Sequence, residues 1–407
     1  MVGFIAPRRL WTLVPAPARV RVRIWIEAAA AGALWVALSM LEPFVKVRFI
    51  FMYCDRIGHL AMNNDVFVRR LQLAGNPTRT KYVFVGAGDV ANRALLALWK
   101  RHIHVIDSGI GMTLLRFVQP VFSGSRFVVE VPLQSVEYKE FALATAVCRL
   151  STDDEKRGRE RLYAMGLTDK DWFVCFHNRD AAYLRSALSA KNFGYHNYRD
   201  SNVSNYLGAA RLIAERGGFA LRLGAIVEDA LDESEARIID YATRFRDEFM
   251  DIYLSARCRF FIGTSDGLTQ VPLLFDTPIA YANCIPIYTL HYGKASLFIP
   301  KQFKARGEDR FLTYAEMQSC GAFRPGAGLV GEWYDERDLE IIENSYDDIR
   351  DLCEDMLDMQ EGKPKAADAG ELQRAYKDRF FGHDPDRTYA PDIGPRFALK
   401  YRELITQ

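Results

Sequence analysis

Polar and basic residues collect where apolar runs end in this chain. Trp172-Phe173-Val174-Cys175-Phe176 leads into His177-Asn178-Arg179-Asp180, and Tyr198-Arg199-Asp200 follows twenty residues later. Phe219 to Leu223 contains Arg222 and stops at Gly224, while Phe260-Phe261-Ile262 runs into Gly263-Thr264-Ser265-Asp266-Gly267. Arginine grips phosphate through paired, charge-assisted hydrogen bonds. A small-residue turn ahead of a helix offers backbone N–H groups and the positive end of the helix dipole to an anion. Arg179, Arg199, Arg222 and the turn Gly263, Thr264, Ser265, Asp266 and Gly267 therefore form a candidate diphosphate cradle. His177, together with Asp55 and His59 in the stretch Asp55-Arg56-Ile57-Gly58-His59, supplies the candidate proton-accepting bases. Plainer roles stand beside these. The Arg-Asp pairs serve equally as structural ion pairs, the histidines as satisfied turn residues, Tyr198 and Tyr206 as packing, and Asp266 as a helix cap.

Strands must hold these residues. Apolar runs are expected as strands at Val45–Tyr53, Tyr82–Val85, His104–Ile106, Phe127–Val131, Trp172–Phe176, Phe219–Leu223 and Phe260–Ile262, with helical patterns between them. Alternation of this kind builds βαβ units around a mostly parallel sheet, and strand-end turns then share one rim, where ligands bind. Leu268 to Phe275 reads as a packed helix after the Gly263–Gly267 turn, and Gly217-Gly218 as a helix stop. Asp153–Met165 and Glu336–Met359 read as charged surface helices, Ile287–Glu332 as irregular, Ala366–Ile393 as polar turns and Phe397–Ile405 as a short helix. Gly86-Ala87-Gly88 lacks the third glycine of a dinucleotide fingerprint.

The 407 residues suffice for two domains, and a formal net charge of +1 removes any global attraction for nucleic acid. The seven cysteines form no CxxC pair and read as reduced, buried thiols, which favours the cytoplasm. No Asp-x-Asp stands at a strand end, no Walker A, GxSxG or HExxH pattern occurs, and no metal site is expected. Near the start, Arg8, Arg9, Arg19, Arg21 and Arg23 precede the apolar stretch Ala28–Leu41. This reads as a helix packed on the fold or lying on the inner membrane face, with a cleaved signal the remaining alternative.

The segments Arg56–Leu60 (RIGHL), Phe176–Leu184 (FHNRDAAYL), Tyr198–Tyr206 (YRDSNVSNY), Leu221–Gly224 (LRLG) and Phe260–Leu268 (FFIGTSDGL) together resemble a bacterial family of glycosyltransferases associated with surface-polysaccharide genes. His177-x-Arg179 is similar to a strand-end motif by which several fucosyltransferases hold the donor diphosphate. The Arg56–His59 turn is laid out like the first strand–turn–helix of heptosyltransferases, with His59 where those enzymes carry an acid. The resemblance implies an α/β fold of GT-B type, with two Rossmann-like domains facing a central cleft. It implies an N-terminal segment 1–44, an acceptor domain 45–152, a nucleotide-sugar domain 153–365 and a tail 366–407. The implied activity is metal-independent transfer from a nucleotide-sugar donor to a glycan or lipid-linked acceptor, with no further cofactor. A nucleotide-sugar epimerase or hydrolase and a non-catalytic sugar-nucleotide-binding module are the alternatives.

Overall fold

The computed structural model describes residues 18–406 except 87, 132–137, 181–193, 228, 287–292, 323–327 and 383. Arg8, Arg9, Ala87 and the last four residues of the Phe176–Leu184 motif fall outside the described residues. The chain divides into unit 1, residues 1–64 and 74–132, and unit 2, residues 65–73 and 133–407.

Unit 1 holds α1 (Ala18–Leu41), β1 (Lys46–Phe51), the first turns of α2 (Ile57–Leu73), β2 (Thr80–Val85), α3 (Arg93–His102), β3 (Val105–Ile106) and α4 (Ser108–Phe122). The three strands are parallel in the order β1-β2-β3. The expected fourth strand is only a bridge. Phe49 exchanges hydrogen bonds with Phe127 and Val129 on the free side of β1, and no longer ladder forms. Counting that bridge, the order is 3-2-1-4, the Rossmann pattern. Local signals agree with it: the Asn92 side chain accepts the Leu95 N–H and starts α3. The core joins Phe49 and Val85 of the sheet to Ala31 and Leu38 of α1, Val118 and Phe122 of α4, and Phe127. Trp35 sets its ring edgewise to Phe122 and Phe127, with centroids 5.0 and 4.9 Å away.

Unit 2 carries α5 (Tyr138–Leu143), α6 (Thr152–Ala164), β4 (Phe173–Phe176), α7 (Leu207–Glu215), β5 (Phe219–Arg222), β6 (Ile238–Ile239), α8 (Glu248–Arg257), β7 (Phe261–Gly263), β8 (Ile279–Cys284), β9 (Leu297–Pro300), β10 (Gln302–Ala305), β11 (Leu339–Ile342), α9 (Tyr346–Gln360), α10 (Ala367–Phe381) and β12 (Asp392–Ile393). Its main sheet runs β6-β5-β4-β7-β8-β9-β12, with every pairing parallel. Renumbered from β4, the first six strands read 3-2-1-4-5-6, the doubly wound order. Each unit is thus Rossmann-like by its own topology.

Several sequence expectations change here. Leu268–Phe275 is two short 3-10 turns, Leu268–Gln270 and Pro272–Phe275, because Pro272 removes an N–H in mid-segment and Asp276 turns left-handed at φ 56°. Glu336–Met359 splits: Leu339–Ile342 pairs antiparallel with β10, and the helix starts only at the reciprocal cap between Ser345 and Asp348. The stretch read as irregular supplies β9, β10 and the helix Tyr314–Ser319, and the polar tail supplies α10 and the sheet strand β12. Gly217 does end α7 as expected, at φ 82°, and a side chain on Gly218 would strike the Trp172 ring.

Candidate active site

In unit 2 the chain leaves β4 toward β5 and β6, then returns to lay β7, β8 and β9 on the other side. The ends of β4 and β7 are neighbours, Cys175 opposite Phe261 and Phe176 opposite Ile262. In an open parallel sheet the crevice outside such a reversal is where ligands bind. The first residues past those two ends are His177 and Thr264. The His177 amide donates to Ile262 O at 2.9 Å. Its Nδ1 lies 2.9 Å from Leu223 O, and a carbonyl can only accept, so Nδ1 carries the proton and Nε2 turns toward Asp266 Oδ1, 3.8 Å away. Asp266 is held in turn by the Thr269 N–H at 2.9 Å and the Thr269 hydroxyl at 2.8 Å.

The cations lie beside this pair. Arg179 binds the Asp200 carboxylate through Nη1 and is largely buried. Burial pulls its guanidinium below the ordinary value, with Asp200 opposing the shift. Arg199 donates from Nε to the Tyr198 hydroxyl at 3.0 Å. Lys301, the first residue after β9, is 3% exposed and donates from Nζ to Asp200 O at 2.6 Å. Burial brings its ammonium down to about 8, while Glu343 and Asp200 favour the charge. Two buried cations therefore hold Asp200, one by its carboxylate and one by its carbonyl. Lys301 escapes the sequence reading because it lies in a stretch taken as irregular. Its one sequence signal is a lysine placed directly after the apolar run Leu297–Pro300.

The Gly263–Gly267 turn differs from the expected anion cradle. With only a three-residue 3-10 turn behind Gly267, this turn brings no helix dipole to the crevice. Gly263 is required by packing, since a Cβ there would sit 2.3 Å from Thr269 Oγ1. The Thr264 hydroxyl donates to Asn283 O at 3.3 Å, and Ser265 Oγ accepts the Ile285 N–H at 3.1 Å. Both residues are buried. Their side chains hold the loops together, so among the described residues the positive charge at the crevice comes from Arg179, Lys301 and Arg199. Asn283 and Asn344 complete the support: each amide N–H donates to the other's Oδ1, at 2.6 and 2.7 Å, and Asn344 Nδ2 donates to Pro300 O at 2.8 Å.

Arg222 ends β5, one strand over. It is 1% exposed, donates from Nη1 to Asp229 O at 2.6 Å, and lies 3.8 Å from Asp240 Oδ2. Burial lowers its guanidinium, with Asp240 opposing. In unit 1, Asp55 is exposed in the loop before α2, and His59 lies on the first turn of that helix, its Nδ1 3.1 Å from Asn63 Oδ1. A cavity of about 190 Å³ in unit 2 lies where β7 and β8 begin, lined by Cys148, Arg149, Arg257, Phe275 and Asp276. It is at the opposite end of the sheet from the strand-end crevice. All seven cysteines are free thiols, six of them buried. No group of three metal-binding side chains occurs among the described residues.

No family model and no curated protein matches the sequence. Among solved structures, the chain is similar to the ADP-heptose lipopolysaccharide heptosyltransferase II of E. coli, at 12% identity and a TM-score of 0.47 over 77% of this chain and 100% of that one. A glycosyl transferase family 9 protein from Veillonella parvula aligns at 11% identity and a TM-score of 0.42, over 63% of this chain and 86% of that one. The iron-containing dodecameric heptosyltransferase TibC of enterotoxigenic E. coli, in complex with ADP-D-beta-D-heptose, aligns at 9% identity and a TM-score of 0.39, over 77% of this chain and 78% of that one. The fold class of this chain rests on its own strand order in each unit.

Proposed function

We propose that the chain is a glycosyltransferase that moves a sugar from a nucleotide-activated donor to a hydroxyl of a glycan or lipid-linked acceptor. The observation that carries this reading is the convergence of Arg179, Lys301, His177 and Asp266 on the strand-order reversal of unit 2. In the transfer, the acceptor oxygen bonds to the anomeric carbon and the bond from that carbon to the diphosphate oxygen breaks. The leaving nucleoside diphosphate takes the electron pair. Arg179, Lys301 and Arg199 offset that developing charge from a site already desolvated, where such charges act most strongly. Arg179 exchanges its Asp200 carboxylate for a phosphate oxygen, which is a like-for-like swap of acceptors. His177 presents Nε2 at the same place, and His59 and Asp55 are the other candidates for the base.

The test is a thermal-shift panel of nucleotide-sugars in the presence of a chelator, followed by mass spectrometry of an acceptor mixture with any donor that binds. One nucleotide class raises the melting temperature, as a ligand selective for the folded state must. His59→Ala leaves that shift intact and lowers kcat by about 10²–10⁴-fold if His59 is the base. The proposal is lost if no nucleotide-sugar or nucleoside diphosphate shifts the melting temperature.

A further inference from the structure

Helix α1 presents apolar side chains on both of its faces. Ala31 and Leu38 face the core of unit 1. On the opposite face Trp25, Ala29, Ala33, Val36 and Met40 follow one another at spacings of four, four, three and four, and all are exposed. Trp25 is 76% exposed and Met40 72%, and Phe44, just past the helix end, is 80% exposed. The stripe runs about 22 Å along the helix. Alongside, α4 exposes Ile110, Met112 and Val121. An ordinary surface helix carries charge outward, as α6 does with Asp153, Lys156, Arg159 and Glu160. Between Ile24 and Leu41 the only ionisable residue of α1 is Glu27, and α4 has only Arg116. The first 26 residues add five arginines and no acid. An apolar stripe on a helix whose own sequence and N-terminal flank carry five arginines and a single acid is complementary to one kind of partner, an anionic lipid surface.

We infer that α1, with the adjoining surface of α4, is a docking face by which unit 1 lies on an anionic bilayer. No helix among the described residues is long and apolar enough to cross a membrane, so α1 lies in the interface. The inner face of α1 stays in the core of unit 1, and contact needs no unfolding. Trp25 at one end of the stripe is the side chain that favours the headgroup region, and Phe44 at the other adds a large apolar ring. The inference rests on unit 1 alone and stands apart from the donor site.

The experiment is co-sedimentation of the full chain with phosphatidylcholine vesicles, with and without phosphatidylglycerol, at low and high salt. Binding is expected only with phosphatidylglycerol and weakens with salt. Met40→Glu with Phe44→Glu abolishes it at positions exposed enough to leave the fold intact, checked by an unchanged melting temperature. Replacing Arg19, Arg21 and Arg23 by Gln weakens partitioning by about a hundredfold and tests the charge without touching the apolar stripe. Three results overturn the inference: no sedimentation with anionic vesicles, equal sedimentation with neutral ones, or a chain that self-associates and becomes monomeric on Met40→Glu without ever binding vesicles. The last would assign the face to a second copy of the chain.

Discussion

Nε2 of His177 lies 3.8 Å from Oδ1 of Asp266, the one residue from the turn after β4 and the other from the turn after β7. The two strands flank the reversal in strand order, so this pair marks the floor of the candidate donor crevice. Asp266 is doubly bonded to Thr269, and its carboxylate adds negative charge close to Arg179. Asp266→Asn keeps an acceptor for the Thr269 N–H and removes that charge. Donor diphosphate is expected to bind several-fold more tightly to this variant by calorimetry. Asp266→Ala instead loses the turn's side-chain cap, about 1 kcal/mol of stability. Weaker diphosphate binding to Asp266→Asn would place the anion elsewhere.

Arg179 and Arg222 are separated by their partners. Arg179→Ala is expected to weaken nucleoside-diphosphate binding by about ten- to a hundredfold, the cost of a lost charge-assisted bond, and to lower stability less than Arg222→Ala does, because Asp200 is 24% exposed and Lys301 still holds its carbonyl. Arg222 is committed to Asp229 O and to the buried Asp240. Arg222→Ala leaves Asp240 without its cation and is expected to cost about 3 kcal/mol in urea denaturation, with the larger effect on folding than on donor affinity. Equal loss of affinity in two well-folded variants would return Arg222 to the cradle.

Lys301 gives a pH signature. Its ammonium is lowered to about 8 by burial, below the ordinary lysine value that the unfolded chain recovers. Between those two values the unfolded state holds more protons, so stability contributed by this site rises with pH across that window and is lost as pH falls through about 8. Donor binding runs the other way, weakening above about pH 8 as the site loses a cation. Lys301→Met is expected to flatten both trends. A variant that keeps the wild-type pH dependence of stability and of binding contradicts this role.

The paired Asn283, near the end of β8, and Asn344, in the loop after β11, tie those two segments together. Asn344→Ala strands the buried Asn283 N–H and Pro300 carbonyl. Each unsatisfied group costs about 1–3 kcal/mol, so a loss of about 2–4 kcal/mol is expected in urea denaturation. A loss below 1 kcal/mol would mean that water or a shifted loop replaces these bonds.

The order of strands and helices was largely legible from local pattern. Phe173–Phe176, Phe219–Arg222 and Phe261–Gly263 are short apolar runs bounded by polar or glycine turns, and buried parallel strands look like that in any context. The same turns gave His177, Arg179 and Asp266, because a strand's last residue fixes which residues come next. What local pattern could not give was pairing across distance. Lys301 joins Asp200 only because β9 lies two strands from β7, and Asp392–Ile393 becomes a strand only because Leu297–Phe298 leaves an edge open for it. Arg222 reads in sequence as one more strand-end cation, and its neighbours Asp229 and Asp240 draw it into the interior. The Gly263–Gly267 turn reads as a helix start, and Pro272 with the tight Gly263–Thr269 contact makes it a packed 3-10 corner. Sequence determines which groups stand at chain ends of strands, since that depends on neighbours along the backbone. Tertiary structure decides which of those groups are already spent on one another, since buried charges and amides must find partners wherever the fold supplies them.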